Sequence, residues 1–188
     1  MESGESTIAE DAALLASMRA GNEEAATRLS ERYWPALYRF CLSYLADEPL
    51  SEDVTQETFA ALSGTDNPPS GDVRPWLYKV ARNRCLDILR RHDRSPTHHR
   101  PFRTGFDPSF STAGPATRAA NNERQEILRQ VIASMPEEYR SVLMLKHIEG
   151  LSRIQIAEAL EVSEPTIKGR LVRASEYLRE ELRKYSTA

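Results

Sequence analysis

The stretch 94–118 has no helical period and carries Pro96, Pro101, Pro108 and Pro115 together with Gly105 and Gly114. Each proline fixes φ and removes an amide donor, so neither a helix nor a central strand can run through it. It reads as a flexible linker that divides the 188 residues into two blocks. Both blocks repeat apolar residues at helical spacing, and neither shows the alternation of a strand. With 40% apolar and 28% charged residues, each block can bury a core and remain well hydrated. The expected fold class is all-α: two small helical domains at 8–94 and 121–185, joined by a linker at 95–120.

In the first block a helix is expected over 12–19, with Leu14, Leu15 and Met18 on one face and Gly21-Asn22 as its stop. The next is expected over 23–44, through Ala26, Leu29, Tyr33, Leu37, Phe40 and Cys41, with Pro35 kinking or restarting it. Ser51 suits an N-cap with Glu52 and Asp53 in the first turn, and Val54, Thr58, Ala61 and Leu62 make one buried stripe. After the Gly- and Pro-rich loop 64–72, Pro75 fits the first turn of a long helix. Its inner face is expected to carry Trp76, Leu77, Val80, Ala81, Leu86 and Leu89. In the second block helices are expected over 123–134, 137–148, 152–160 and 163–184, with connections short enough for a compact bundle.

Composition removes several function classes. No apolar run reaches the roughly 18 residues of a membrane span, so no membrane insertion is expected, and the acidic, polar residues 1–11 are unlike a secretory signal. Cys41 and Cys85 are too few for a disulfide framework and lack metal-ligand spacing, which points to core packing in a reducing cytoplasm. The net charge of −3 conceals an asymmetry: residues 1–72 hold 14 acidic side chains against four arginines, while residues 73–103 hold nine basic against two acidic. The basic segment can neutralise phosphates, whereas the acidic one would be repelled by them and needs a different partner. A Gly-rich phosphate loop, a nucleophile elbow and a His-Glu metal motif are all missing from the sequence. His98-His99 lies in the linker and His92 and His147 stand singly. Neither an enzyme nor a cofactor nor a metal is expected.

Three constellations remain. Leu151, Ile154, Ala157 and Leu160 form a stripe on one short helix, Val162 packs the turn, and Ser163 caps a second helix with Ile167, Leu171 and Ala174 inside. Two short helices at such a turn can lay the second in a major groove, with Lys168, Arg170 and Arg173 outward for guanine edges and phosphates. An ordinary helical hairpin with a solvated basic face is the competing reading. The run Trp76 to Arg91 interleaves aromatic side chains with Lys79, Arg82, Asn83, Arg84, Arg90 and Arg91. Cations hold a backbone while rings and amides receive unstacked bases, which is what melted DNA needs; Trp76 and Leu77 as plain core residues is the alternative. Finally, Asp53, Gln56 and Glu57 share a helical face beside Phe59, an acidic, aromatic-tipped surface suited to a protein rather than to DNA.

In this order the three runs resemble the extracytoplasmic-function (ECF) group of the sigma-70 family, over nearly the whole chain apart from the linker. Asp53-Val54-Thr55-Gln56-Glu57-Thr58-Phe59 is similar to region 2.2, which implies docking of Asp53, Gln56, Glu57 and Phe59 on the clamp helices of the largest subunit of core RNA polymerase. Trp76 through Asn83 and Asp87 through Arg91 resemble regions 2.3 and 2.4. The resemblance implies that Trp76, Lys79, Arg82, Asn83, Arg90 and Arg91 meet the −10 promoter element, with Asn83 and the loop 63–73 holding a flipped base. Met135 through Arg140 followed by the helix-turn-helix resembles region 4. There Thr166, Lys168, Gly169, Arg170, Val172 and Arg173 are the matching −35 positions, and the flap of the second-largest polymerase subunit is an implied partner. Pro165 and Gly169 depart from the family pattern, which usually has Gly at the former and Ser at the latter, so the −35 preference does not carry over. An anti-sigma factor is a further implied partner.

Two rivals make different predictions. An autonomous helix-turn-helix regulator would bind duplex DNA tightly without polymerase, usually as a dimer. A sigma-like decoy would bind a regulator protein and never DNA, and would not need the Trp-Arg-Asn helix.

Overall fold

Side-chain acceptors set where the helices begin. Asn22 Oδ1 accepts from the Ala25 amide at 3.2 Å and Asp47 Oδ1 from the Leu50 amide at 2.9 Å, each satisfying an amide that the first helical turn leaves unpaired. The computed structural model describes residues 2–69, 71–93, 127, 128, 130–132 and 134–186. Its elements are α1 (Glu2–Arg19), α2 (Glu23–Leu45), α3 (Glu48–Gly64), α4 (Val73–Asp93), α5 (Glu137–Leu143) with a π-helical turn (Met144–Ile148), α6 (Arg153–Leu160) and α7 (Glu164–Ser186). The described residues within 127–134 are helical. The linker 95–120 and His98-His99 lie outside the described residues. Among those described, no helix is long and apolar enough to cross a membrane.

The core of the first half gathers Leu29, Leu37, Phe40, Tyr44, Val54, Leu62, Leu77 and Cys85, and that of the second Leu145, Leu151, Ile156, Ile167 and Ala174. These residues form one continuous buried cluster. The Phe40 ring sits 5.0 Å from both the Tyr44 and the Tyr78 rings, so α2 and α4 meet through an aromatic trio in offset and edge contacts. Cys41 and Cys85 are both fully buried and free. The Cys85 thiol is pushed up by its contact with Cys41 and by burial, as core packing requires. α1 is clasped to α2 by buried Asp11, which accepts from Arg32 Nη1 at 2.6 Å and from the Tyr33 hydroxyl.

Several sequence expectations are corrected. α1 starts at Glu2 rather than near residue 12. Pro35 does not break α2, which runs unbroken from Glu23 to Leu45; Pro35 is exposed, and on a solvent face water can take the carbonyl that its missing amide leaves free. Ser51 is not an N-cap but a buried residue inside α3, its hydroxyl donating to the Asp47 carbonyl at 2.6 Å, and Asp47 is the cap. Thr55 and Thr58 bond back one turn in the same way, at 2.7 Å each, which lets three hydroxyls lie in an apolar interface with their donors satisfied. The helix expected over 137–148 changes to a π-helical turn after Leu143. On α6, Ile154 is 68% exposed and Ile156 is fully buried. The capping box between Ser152 and Gln155 opens α6, and packing against the neighbouring helices turns positions 156, 159 and 160 inward.

Candidate nucleic-acid interface

The helix-turn-helix forms as its residues dictate. Ser152 Oγ accepts from the Gln155 amide at 3.3 Å while Gln155 Oε1 accepts from the Ser152 amide at 2.7 Å, opening α6. Glu161 takes the left-handed conformation at φ 55° to end it, and Ser163 Oγ accepts from the Thr166 amide at 3.3 Å to open α7. With Ile167 and Ala174 fully buried, the opposite side of α7 presents Thr166, Lys168, Gly169, Val172 and Arg173 to solvent. Val172 is 53% exposed, an apolar group on a polar strip, of the kind that meets a thymine methyl. A Cβ at Gly169 would touch nothing within 4 Å, so no close approach requires glycine there. Arg170 departs from expectation: it turns back toward α5, 3.4 Å from Glu138, and is only a quarter exposed. Its position, next to half-buried Leu171, lets its long side chain reach a carboxylate on the neighbouring helix.

On α4 the expected contact residues fall into two groups. Asn83, Arg90 and Arg91 are exposed, with Arg90 in a surface pair to Asp87 at 3.2 Å. Trp76 is half-buried against the core. Lys79 and Arg82 instead engage the second half of the chain: Lys79 Nζ lies 2.8 Å from Glu161 Oε1, and Arg82 Nε and Nη2 donate to the two Glu137 carboxylate oxygens at 2.8 Å each. Burial alone would raise the Glu137 carboxyl, but Arg82, the Ser141 hydroxyl and Arg140 hold it below the ordinary carboxylate range. Around this pair lie further contacts between the two halves of the chain. The hydroxyls of Tyr44 and Ser141 meet at 2.6 Å, Tyr78 donates to Glu149 Oε2 at 2.6 Å, and Gln155 Nε2 donates to Asp72. Burial raises the Glu149 carboxyl, against Tyr78 and Arg39, which lower it. Periodicity does not announce these contacts, since it describes packing within one half of the chain, and Asp72 and Glu149 lie just outside the helices.

On α3, Asp53, Gln56 and Glu57 are exposed on one face. Phe59 is half-buried and stacks on Trp34 of α2 at 5.9 Å with the rings 14° apart. Glu57 pairs with Arg84 of α4, so the acidic face and the basic helix adjoin. Half-exposed as it is, that pair adds little to stability.

The sigma-70 region 2 family matches residues 29–95 and the sigma-70 region 4 family residues 125–178. The chain is 27% identical over 178 residues to the ECF RNA polymerase sigma factor SigW of Bacillus subtilis, covering 88% of this chain and 93% of that one. It is 30% identical over 150 residues to SigM of the same organism, described in the same words, covering 79% and 90% respectively. Among solved structures, CnrH in complex with the cytosolic domain of CnrY superposes with a TM-score of 0.71 at 24% identity, over 93% of this chain and 98% of that one. The sigma factor RpoE in complex with the anti-sigma factor NepR from Bartonella quintana gives 0.64 at 19% identity, over 84% and 96%. At those identities the two structures speak for the fold.

Proposed function

The chain belongs to the sigma-70 family, in its ECF group, and from that premise we propose how its residues divide the work of a specificity subunit that binds core RNA polymerase and directs promoter recognition. An N-terminal domain over 8–94 docks on polymerase through Asp53, Gln56 and Glu57, an exposed acidic face that phosphates would repel, with half-buried Phe59 beside it. The same domain traps melted −10 DNA on α4 through Trp76, Lys79, Arg82, Asn83, Arg90 and Arg91. A C-terminal domain over 121–185 reads the −35 element with Thr166, Lys168, Gly169, Val172 and Arg173, and with Arg170 once it leaves Glu138. The clamp helices of the largest subunit and the flap of the second-largest are the surfaces it engages. The observation that carries this reading is α7, where Lys168, Val172 and Arg173 stand open to solvent opposite fully buried Ile167 and Ala174, the arrangement that a groove-reading helix needs.

The sites act together in the cytoplasm, where polymerase and promoter are found. Two modest contacts on one chain raise affinity through effective concentration, so neither domain alone holds a promoter tightly. An anti-sigma partner is part of the proposal, supported by the likeness in fold to RpoE, whose solved structure contains the anti-sigma factor NepR. The test is run-off transcription from a promoter library with purified core polymerase. Specific transcripts that require the full chain are expected. Tight duplex binding without polymerase, and no transcripts with it, would instead identify an autonomous helix-turn-helix regulator.

A further inference from the structure

We propose that Arg19, the last residue of α1, is a positioning residue for the loop 63–73: it fixes the direction in which the chain leaves α3 and so shapes the pocket that takes a flipped −10 base. The inference rests on the reading of α4 and of its preceding loop given above. α3 ends without a basic residue in its last turn, so the partial negative charge of its unpaired carbonyls has no cation on its own helix. Arg19 supplies one from α1, donating through Nη1 to the carbonyl of Thr65, the C-cap of α3. Thr65 is engaged a second time through its side chain, where Oγ1 accepts from the Asn67 amide at 3.2 Å and closes a local turn. Asn67 precedes Pro68 and Pro69. A residue before proline is confined to extended backbone, and each proline fixes its own φ. A displacement at Thr65 is therefore carried along 65–69 rather than absorbed there.

The arm that carries Arg19 is itself fixed. Buried Asp11 accepts from Arg32 Nη1 at 2.6 Å and from the Tyr33 hydroxyl. That clasp fastens α1 to α2 eight residues, or about 12 Å of helix, before Arg19, and Leu15 between them is buried. Ser63 Oγ lies 3.7 Å from Met18 Sδ, so two successive residues of α1, Met18 and Arg19, meet the end of α3. The far end of the loop is held by Asp72, whose carboxylate accepts from the Arg74 amide at 3.0 Å and from the Arg74 guanidinium at 2.6 Å. Between these anchors Asp66 and Asn67 present exposed polar side chains, the acceptors and donors that a base edge can meet. The Arg19–Thr65 bond is exposed, so its weight lies in local order of the loop rather than in global stability. Arg19 acts through the loop, and its loss should change which base is preferred as well as how tightly DNA is held.

The experiment uses the full chain, alone and in holoenzyme, with Arg19→Ala and Arg19→Lys. Arg28→Ala is the control, since it removes the same charge from an exposed position on α2. In the chain alone, hydrogen exchange of the amides of 64–67 should quicken about twofold to tenfold in Arg19→Ala, the range that one net hydrogen bond sets. In holoenzyme, promoter opening is compared across promoters that differ only at the position whose preference Asn83→Ala abolishes. Arg19→Ala should flatten the preference among the bases there by about twofold to tenfold. Recruitment to the closed complex should change by less than about twofold, because that step precedes base flipping. Arg19→Lys keeps the cation and a donor and should restore most of both effects, while Arg28→Ala should match the wild type. Unchanged exchange over 64–67 overturns the assignment, and so does faster exchange with an unaltered base preference. A loss shared equally by all bases, or an equal change in Arg28→Ala, overturns it as well, because either marks general electrostatics. The reading of α4 fails by a separate result, a wild-type holoenzyme with no base preference that Asn83→Ala removes.

Discussion

Asn83→Ala separates a DNA contact from a folding contact more cleanly than any other substitution on α4. Asn83 is exposed in the middle of the helix, and its side chain makes no hydrogen bond among the described residues. Its removal costs the fold nothing, and alanine is the better helix former by a few tenths of a kcal/mol, so the melting temperature should hold or rise slightly. An amide that hydrogen-bonds a base contributes about 1–3 kcal/mol of discrimination. Lost from the open complex alone, that predicts a fall of about 5-fold to about 150-fold in the equilibrium for promoter opening. Recruitment of polymerase to the closed complex should change by less than about twofold, because that step does not flip a base. Permanganate reactivity of unpaired thymines reads the first quantity, and a gel shift at low temperature reads the second. Equal loss in both would place Asn83 on duplex DNA. A lowered melting temperature would show that α4 needs it for folding, and either result refutes the reasoning.

Three further outcomes follow from named contacts. Reversing the charge of Asp53 and Glu57 with Gln56→Lys should abolish co-purification with core polymerase while the circular dichroism is preserved, all three being exposed; normal co-purification by the folded variant would clear α3 of the role. Gly169→Ala should stabilise the chain by up to about 1 kcal/mol, since a Cβ there meets nothing within 4 Å, and a lowered melting temperature would contradict the open surface. Burial raises the Glu149 carboxyl, so its contribution to stability is fully present below the ordinary carboxylate range and is lost as pH rises through the raised value. Arg82 and Ser141 hold Glu137 low, so its contribution persists until the pH falls beneath that range. The melting temperature should therefore increase from neutral to mildly acidic pH, and Glu149→Gln should flatten the slope; an unchanged slope would exclude Glu149 as its source.

The two-block, all-helical plan was legible because proline and glycine act locally, and the sequence concentrates four prolines and two glycines between the two helically periodic blocks. Periodicity likewise located Leu29, Leu37, Phe40, Leu77, Ile167 and Ala174 inside, since a 3.6-residue repeat has one inward face. The misreadings are errors of phase and competition. Ser51 and Asp47 are both good caps, and the sequence does not say which one the chain uses; the structure chooses Asp47 because Ser51 then points into the core. Ile154 and Ile156 are both apolar on an eight-residue helix, too short for periodicity to decide, and packing into the shared buried cluster selects Ile156. Helical phase alone places Arg170 toward solvent, but a side chain of that length answers to Glu138 on another helix as readily as to water. The exposure of Asp53, Gln56, Asn83, Lys168 and Arg173 was legible because each stands on the outer face of its own helix.

What sequence could not show is that α4 is held by the second half of the chain, because the contacts of Arg82 and Lys79 cross from one half to the other. Helical periodicity assigns a residue to the inner or the outer face of its own helix, and it carries no information on which other helix lies over that face. The buried apolar residues of both halves close into one cluster, so the joint between them is a packed surface along which these ion pairs lie. The Arg82 and Glu137 side chains keep 18% and 30% of their exposure, and removal from water offsets much of such a pair's attraction. Apolar burial beside them therefore contributes the larger share of what holds the halves together.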